Sequence, residues 1–285
     1  MFKILQKTLR TGIVTASYPK GTSPAGRHFR GLPEFSLERW RDARPAADVC
    51  TAGAIALCDQ QSSRRVTVDY GRCIFCGQCA DVAADGAIRI TREFELAAHD
   101  RSSLVFTADY ELNNDGSHHR LTATSLGNAD GAAHGAGKRL RATIQSVLGR
   151  SLAIREVDAG SCNGCELEII ALNNPVNEIE RFGIRFVASP RHADMLLVTG
   201  PVTRNMELAL RKTWEAAPEP RVVVAVGACG ISGGIFGTNY ATRGGVDRVI
   251  PVDVYIPGCP PRPEALLHGI LLAVGRLASR PQRAL

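Results

Sequence analysis

Cys162 and Cys165 flank Asn163-Gly164, a pair that reads as a tight turn between a strand and a helix. Upstream, Leu152 and Ile154 alternate with Ala153 and Arg155 through Ser151 to Val157, as a half-buried strand requires. Downstream, Leu167, Ile169, Ile170 and Leu172 are spaced for one face of a helix. Two more thiols follow apolar runs in the same way: Cys229 after Arg221–Val226 and Cys259 after Val252–Ile256. Further strands are expected at Ile184–Ala188 and Met195–Thr199, and helices at Glu166–Leu172, Asn205–Ala216 and Pro263–Leu277. Strands alternating with helices predict an α/β domain, a parallel sheet covered on both faces. Ligands in such folds sit beyond the carboxyl ends of the strands. Three separate loops thus bring Cys162, Cys165, Cys229 and Cys259 to one sheet edge. Soft thiolates there suit a soft metal site, and the positive end of the helix dipole favours an anionic cluster.

The chain has nine cysteines, at 50, 58, 73, 76, 79, 162, 165, 229 and 259. Met1 to Arg10 mixes Lys3, Lys7 and Arg10 into its apolar residues, so no secretory signal is expected and thiols point to metal before disulfides. That segment reads as an amphipathic helix for a partner or a membrane surface, or as a plain packed helix. The cysteines fall before residue 80 and after residue 160, which predicts two sites. At 285 residues the chain has room for two domains. No apolar run reaches the about 18 residues of a membrane span, and Ala265 to Val274 reads as a buried helix. The net charge of +6 comes without a Lys/Arg block, which argues against nucleic-acid binding.

Residues 11 to 35, rich in Gly and Pro, read as an extended arm outside any core. An internal repeat follows. Trp40 to Ile55 can be laid on Cys73 to Ile88, 33 residues on, with Ala-Asp-Val and Gly-Ala-Ile recurring in step. The spacing resembles a bacterial two-cluster ferredoxin, in which each half supplies C-x2-C-x2-C-x3-C and the fourth Cys serves the other half's cluster. On that pattern Cys50, Cys73, Cys76 and Cys79 belong to one [4Fe–4S] cluster. The other cluster's positions hold Trp40, Ala43, Ala46 and Ala83, so that site is erased. Zinc is the alternative for four cysteines, although three close thiols suit a cubane better than paired zinc knuckles. Cys58 has no place in either scheme and reads as a small buried hydrophobe. Residues 1–112, including Phe29 to Glu34 and Val68 to Cys79, resemble the ferredoxin-like subunit of complex I and of related membrane-bound [NiFe]-hydrogenases. An α+β ferredoxin-like domain is expected there.

Residues 113–137, rich in Gly and Asn, read as a flexible linker with His118, His119 and His134 solvated. A short amphipathic helix is expected on Leu140, Ile144, Val147 and Leu148.

Residues 138–285 form the second expected domain. Gly227, Gly230, Gly233 and Gly234 allow backbone amides near cluster sulfurs; without a P-loop Lys-Ser/Thr they do not point to a nucleotide. Asp158 to Glu166, Arg191 to Thr203 and Pro257 to Glu264 resemble the small subunit of complex-I-related, energy-converting [NiFe]-hydrogenases of the formate-hydrogenlyase type. The homologous complex I subunit, of the 20 kDa family, has an adjacent Cys pair in the first motif; two residues intervene here, which favours the hydrogenase branch. The resemblance implies a flavodoxin-like domain with a second [4Fe–4S] cluster on Cys162, Cys165, Cys229 and Cys259. It implies a hydrogenase-type or complex I 49 kDa-like large subunit and membrane-arm subunits as partners. The location implied is cytoplasmic, at the inner membrane through those partners. Glu166 and Glu168 open the helix as dipole partners. Glu168 takes the place of an acidic residue near the cluster in the complex I relatives, and is the candidate for proton transfer. Arg262 is expected to offset cluster charge or to contact a partner. The function expected is electron transfer in a hydrogenase-type oxidoreductase, with a quinone-linked reductase subunit or a structural metal-binding scaffold as alternatives.

Overall fold

The computed structural model describes residues 2–21, 26–83, 86–126 and 151–275. The second half is built on five parallel strands: β7 (Leu152–Asp158), β8 (Ile184–Phe186), β9 (Met195–Thr199), β10 (Val222–Val226) and β11 (Val254–Ile256). Between them run α4 (Gly164–Ala171), α5 (Arg204–Ala216) and α6 (Gly227–Ser232), and α7 (Pro263–Ala273) follows β11. Every residue of β9 and β10 is buried, the burial expected of a sheet covered on both faces. The strand order is β8-β7-β9-β10-β11, the flavodoxin-like 2-1-3-4-5 arrangement. Its topological switch lies between β7 and β9, beside the loop carrying Cys162. Helix α7 is buried from Glu264 to Ala273, with Glu264 and His268 enclosed among its apolar residues.

The first half holds α1 (Phe2–Thr11), β1 (Pro33–Phe35), α2 (Arg44–Val49), β2 (Ile55–Gln60), β3 (Ser63–Asp69), α3 (Gln78–Val82), β4 (Ile88–Ile90), β5 (Val105–Leu112) and β6 (His118–Leu126). β1 and β4 form an antiparallel pair; β2-β3-β5-β6 form a four-stranded sheet. The sequence repeat is visible as two equivalent units, α2 leading to β2 at Ile55 and α3 leading to β4 at Ile88.

Five expectations need correction, the last of them the arm. Residues 118–126 are a strand, not linker. Asn113 to Ser117 is the hairpin turn, closed by Asn113 N–H to the Ser117 carbonyl at 2.9 Å, so Gly and Asn there serve a tight reversal. His118 is therefore buried, whereas His119 is exposed. Cys58 is exposed, because it stands on the solvent side of the edge strand β2. The apolar residues of α4 do not share a face: Ile169 and Leu172 are buried, whereas Leu167 and Ile170 point outward. Residues 127–137 of the expected linker, His134, the helix expected near residues 140–148 and the last residues of the chain lie outside the described residues.

The arm is part of a core after all. Ala16 N–H donates to the Val176 carbonyl at 2.8 Å, and Tyr18 is buried with Ile169 and Leu172 of the second half. Its ring centre lies 5.7 Å from that of Phe94, and its hydroxyl donates to Glu95. Ala98 and Tyr255 exchange both backbone hydrogen bonds, at 2.8 and 3.0 Å, so the first half covers the β11 edge. One apolar cluster runs from Phe35, Trp40 and Leu104 to Val157, Leu196 and Tyr255. The halves are thus packed together.

Candidate metal centres

The second thiol set sits at the carboxyl edge of the parallel sheet. After β7, Asp158 Oδ1 accepts the backbone N–H groups of Gly160 and Ser161, at 2.8 and 2.7 Å. Ser161 Oγ then accepts Asn163 N–H, and Asn163 takes a left-handed φ of 68°, which its short amide side chain tolerates. The chain turns directly into α4 with Cys162 before the bend and Cys165 after it. Cys229 rides on α6 behind β10. The loops of Cys229 and Cys259 are joined by Ala228 N–H donating to the Gly258 carbonyl at 2.8 Å.

The four thiols are electrostatic neighbours. Burial raises the Cys165 pKa most, then the Glu166 charge, with Cys229, Cys259 and Cys162 adding. Burial, then Cys259 and Cys162, push Cys229 up to about 11, and burial with Cys162 raises Cys259. Four thiolates held together in a partly apolar site need a cationic core to be stable. Two glycines make room for such a core. A Cβ at Gly227 would stand 2.9 Å from Cys165 Sγ, and one at Gly234 2.8 Å from Cys229 Sγ, both at left-handed φ.

The first set comes from two turns related by the repeat. Cys50 ends α2; Cys73, Cys76 and Cys79 lie before and within α3. Cys73 is pushed up to about 12 by burial and, in smaller part, by Cys79, Cys50 and Cys76. The four line one cavity with Pro33, Phe35, Ile55, Val68 and Tyr70. Backbone amides approach the sulfurs: Ala54 N–H donates to Cys50 Sγ at 3.2 Å and Phe75 N–H to Cys73 Sγ at 3.4 Å.

Both donor sets offer the four soft thiols an iron–sulfur cluster of several metals takes, and the first adds apolar walls and amide hydrogen bonds to sulfur. A single zinc fits less well. Zinc needs sulfurs at about 2.3 Å from one point, and the three close thiols Cys73, Cys76 and Cys79 suit a cubane better than the paired knuckles of such a site.

The positions of the erased site are filled. Trp40 is 2% exposed, Ala43 and Ala46 are buried and Ala83 packs against the same core. The Trp40 ring lies 5.2 Å from that of Phe35. His118 Nδ1–H donates to the Trp40 carbonyl at 2.8 Å, and its ring stacks on Tyr110 at 3.8 Å. Ile88 joins this core, whereas Val82 faces outward.

Between the two thiol sets lies a cavity lined by Ile74 and Phe75 from the first, Cys259 and Pro260 from the second, and Glu168 and Arg262. Arg262 is engaged within the chain. Its guanidinium sits 4.9 Å from the ring centres of both Phe29 and Phe94 and donates to both carboxylate oxygens of Glu264, at 2.6 and 2.7 Å. Burial and the nearby Glu264 raise the Glu168 pKa, and Arg262 partly offsets this. No sequence pattern marks the Phe29–Arg262–Phe94 sandwich, whose members are far apart along the chain. Glu156 was also unmarked: burial and Glu166 raise its pKa, and Glu156 Oε1 and both Glu166 oxygens are buried without a hydrogen-bond partner among the described residues.

Exposed apolar side chains border the second set. Leu167 and Ile170 lie on the outer face of α4, and Ile235 and Phe236 follow Gly234. Cys162 and Cys259 are themselves exposed.

Residues 162–273 match the family described as NADH ubiquinone oxidoreductase, 20 Kd subunit. Formate hydrogenlyase subunit 7 of Escherichia coli is 50% identical over 141 residues, which are 50% of this chain and 55% of that protein. The chain therefore spans about half the length of that relative. A probable membrane-bound hydrogenase subunit of Pyrococcus furiosus is 50% identical over 144 residues, 50% of this chain and 86% of that protein. An NADH-quinone oxidoreductase subunit of Citrifermentans bemidjiense is 49% identical over 115 residues, 40% of this chain and 67% of that protein.

Proposed function

The chain belongs to the 20 Kd subunit family of NADH ubiquinone oxidoreductase, and from that membership we propose that it is an electron-transfer subunit of a hydrogenase-type complex. Its relatives are subunits of formate hydrogenlyase, membrane-bound hydrogenase and NADH-quinone oxidoreductase. The observation that carries the proposal is the convergence of Cys162, Cys165, Cys229 and Cys259 from three loops at the sheet's switch point, with a second four-thiol set in the same chain.

Cys50, Cys73, Cys76 and Cys79 would hold one [4Fe–4S] cluster, and Cys162, Cys165, Cys229 and Cys259 another. Such clusters supply one-electron storage at each site. This chain's residues do the rest. Phe35, Ile55, Val68 and Tyr70 keep water from the first set. The Ala228–Gly258 bond holds the Cys229 and Cys259 loops in register, and the Arg262 sandwich fixes one half against the other. The half that ends with β6 and the half that begins with β7 would act as the two electron-carrying units of a natural fusion.

The large subunit that carries out hydrogen chemistry would dock over Cys162 and Cys259, where Leu167, Ile170, Ile235 and Phe236 offer an apolar rim. Among the described residues no helix is long and apolar enough to cross a membrane; membrane association would come through membrane-arm partners on the cytoplasmic side. Glu168, lining the cavity beside Cys259, is the group assigned to proton exchange near the second site. Glu168→Gln should keep full iron content while slowing turnover of the assembled complex; unchanged turnover removes that role. A quinone-linked complex is the second reading, supported by the likeness to an NADH-quinone oxidoreductase subunit. Hydrogen-dependent dye reduction by the chain purified with its large subunit separates the two. Activity with hydrogen supports the hydrogenase reading, and quinone reduction without hydrogen activity overturns it.

A further inference from the structure

Helix α1 is a part of the molecule that neither thiol set uses. Every residue from Phe2 to Val14 is exposed, and none of α1 is buried. Yet the chain that follows the helix is held to the body. Just after it, Thr15 Oγ1 donates to Glu178, Ala16 N–H donates to the Val176 carbonyl, and Tyr18 is buried. A helix with no covered face, tethered beside the body, is suited to a surface outside the chain.

Its side chains are sorted by chemistry. At about 100° per residue, Phe2, Leu5 and Leu9 fall within an arc of about 60° and Lys3, Lys7 and Arg10 within another of about 60°, with the exposed Ile4 outside both, nearer the cationic arc. The helix carries no acidic residue. Its threonines make no demand on a partner: Thr8 Oγ1 donates to the Ile4 carbonyl at 3.0 Å and Thr11 Oγ1 to the Lys7 carbonyl at 2.8 Å. Ile13 and Val14, both exposed, and Val176 beside the anchor extend the apolar strip.

We propose that α1 lies flat on an anionic lipid surface, with Phe2, Leu5 and Leu9 in the acyl boundary and Lys3, Lys7 and Arg10 among the headgroup phosphates. Charge complementarity selects this occupant. Cations of one sign, apolar side chains and self-satisfied hydroxyls are what a headgroup layer accepts, whereas a docking protein surface would also call for directed polar contacts. A helix this short gives weak, reversible attachment, so it orients the chain on a membrane that other subunits already hold. Membrane contact would then be made by this chain itself.

The test is vesicle co-sedimentation of the full chain, with vesicles of equal parts phosphatidylglycerol and phosphatidylcholine against phosphatidylcholine alone. The expected result is binding to the anionic vesicles only, weakening as salt is raised. Lys3→Gln, Lys7→Gln and Arg10→Gln should each weaken it about fivefold, and Leu5→Glu with Leu9→Glu about tenfold or more. These side chains touch no core, so a retained circular-dichroism spectrum shows that a loss is not unfolding. Equal binding to both vesicles, binding unchanged by the double Leu variant, or protection of α1 by added protein subunits without any vesicle binding would overturn the proposal.

Discussion

Ala228 donates its backbone N–H to the carbonyl of Gly258 at 2.8 Å, so the loop bearing Cys229 and the loop bearing Cys259 are one unit. Neither residue is a ligand candidate, yet their bond sets how two thiols face the pair on the Asn-Gly turn. The site is therefore sensitive to changes that leave all four cysteines in place.

Gly227→Ala tests that sensitivity. The added Cβ would meet Cys165 Sγ at 2.9 Å and the Gly258 carbonyl at 3.3 Å, at a φ of +76° that alanine resists. The expected outcome is loss of the second cluster's EPR signal with the first retained. Retention of both would show that the Gly227 approach does not shape the site.

Arg262→Ala removes the clasp between the halves. Arg262 and Glu264 are both mostly buried, and losing one partner of such a pair costs about 3 kcal/mol. Denaturant titration should show that loss, with part regained in Arg262→Ala/Glu264→Gln. A change within about 0.5 kcal/mol would mean that the sandwich holds nothing.

His118 gives a pH dependence. Burial draws its pKa below the ordinary value, with Arg64 and Arg44 acting the same way and the Trp40 hydrogen bond and Asp42 opposing. The unfolded chain takes up this proton first, at about pH 6.5. Stability should therefore be full above that pH, fall as pH drops through it, and level off below the folded value. Comparing the wild-type chain with His118→Phe across this range isolates the effect. A wild-type curve no steeper than the variant's would contradict it.

Trp40→Ala addresses the erased site. Trp40 is fully enclosed against Phe35 and His118, and its truncation should cost about 3–5 kcal/mol. The folded fraction should keep its iron, because Trp40 supplies no ligand. Iron lost in proportion to Trp40 replacement, at constant folded fraction, would overturn the reading of the repeat.

The parallel domain was legible because β-branched runs such as Val222–Val226 and thiols placed just after them report strand, strand end and site together. Helix α7 announced itself by an apolar run too long to be solvated. The first half was harder. Asn113-Asn-Asp-Gly-Ser117 looks like linker by composition, and only pairing of His118–Leu126 with β5 shows it to be a hairpin turn. Cys58 was misplaced because average burial of cysteine says nothing about which side of an edge strand it takes. Tyr18 and Arg262 act across the two halves, and no local pattern encodes such contacts. Residue spacing did expose both thiol sets, since repeats and motif loops are local even when the site is not.

The central claim is that this chain holds two clusters, one on each thiol set, and no third at the erased positions. Iron and acid-labile sulfide analysis of the anaerobically reconstituted full chain, with Cys229→Ala in parallel, tests it most directly. The account predicts about eight irons and eight sulfides per chain, falling to about four of each in the variant with the first cluster's EPR signal intact. About twelve irons per chain, zinc in place of iron, or an unchanged iron count in Cys229→Ala would contradict it.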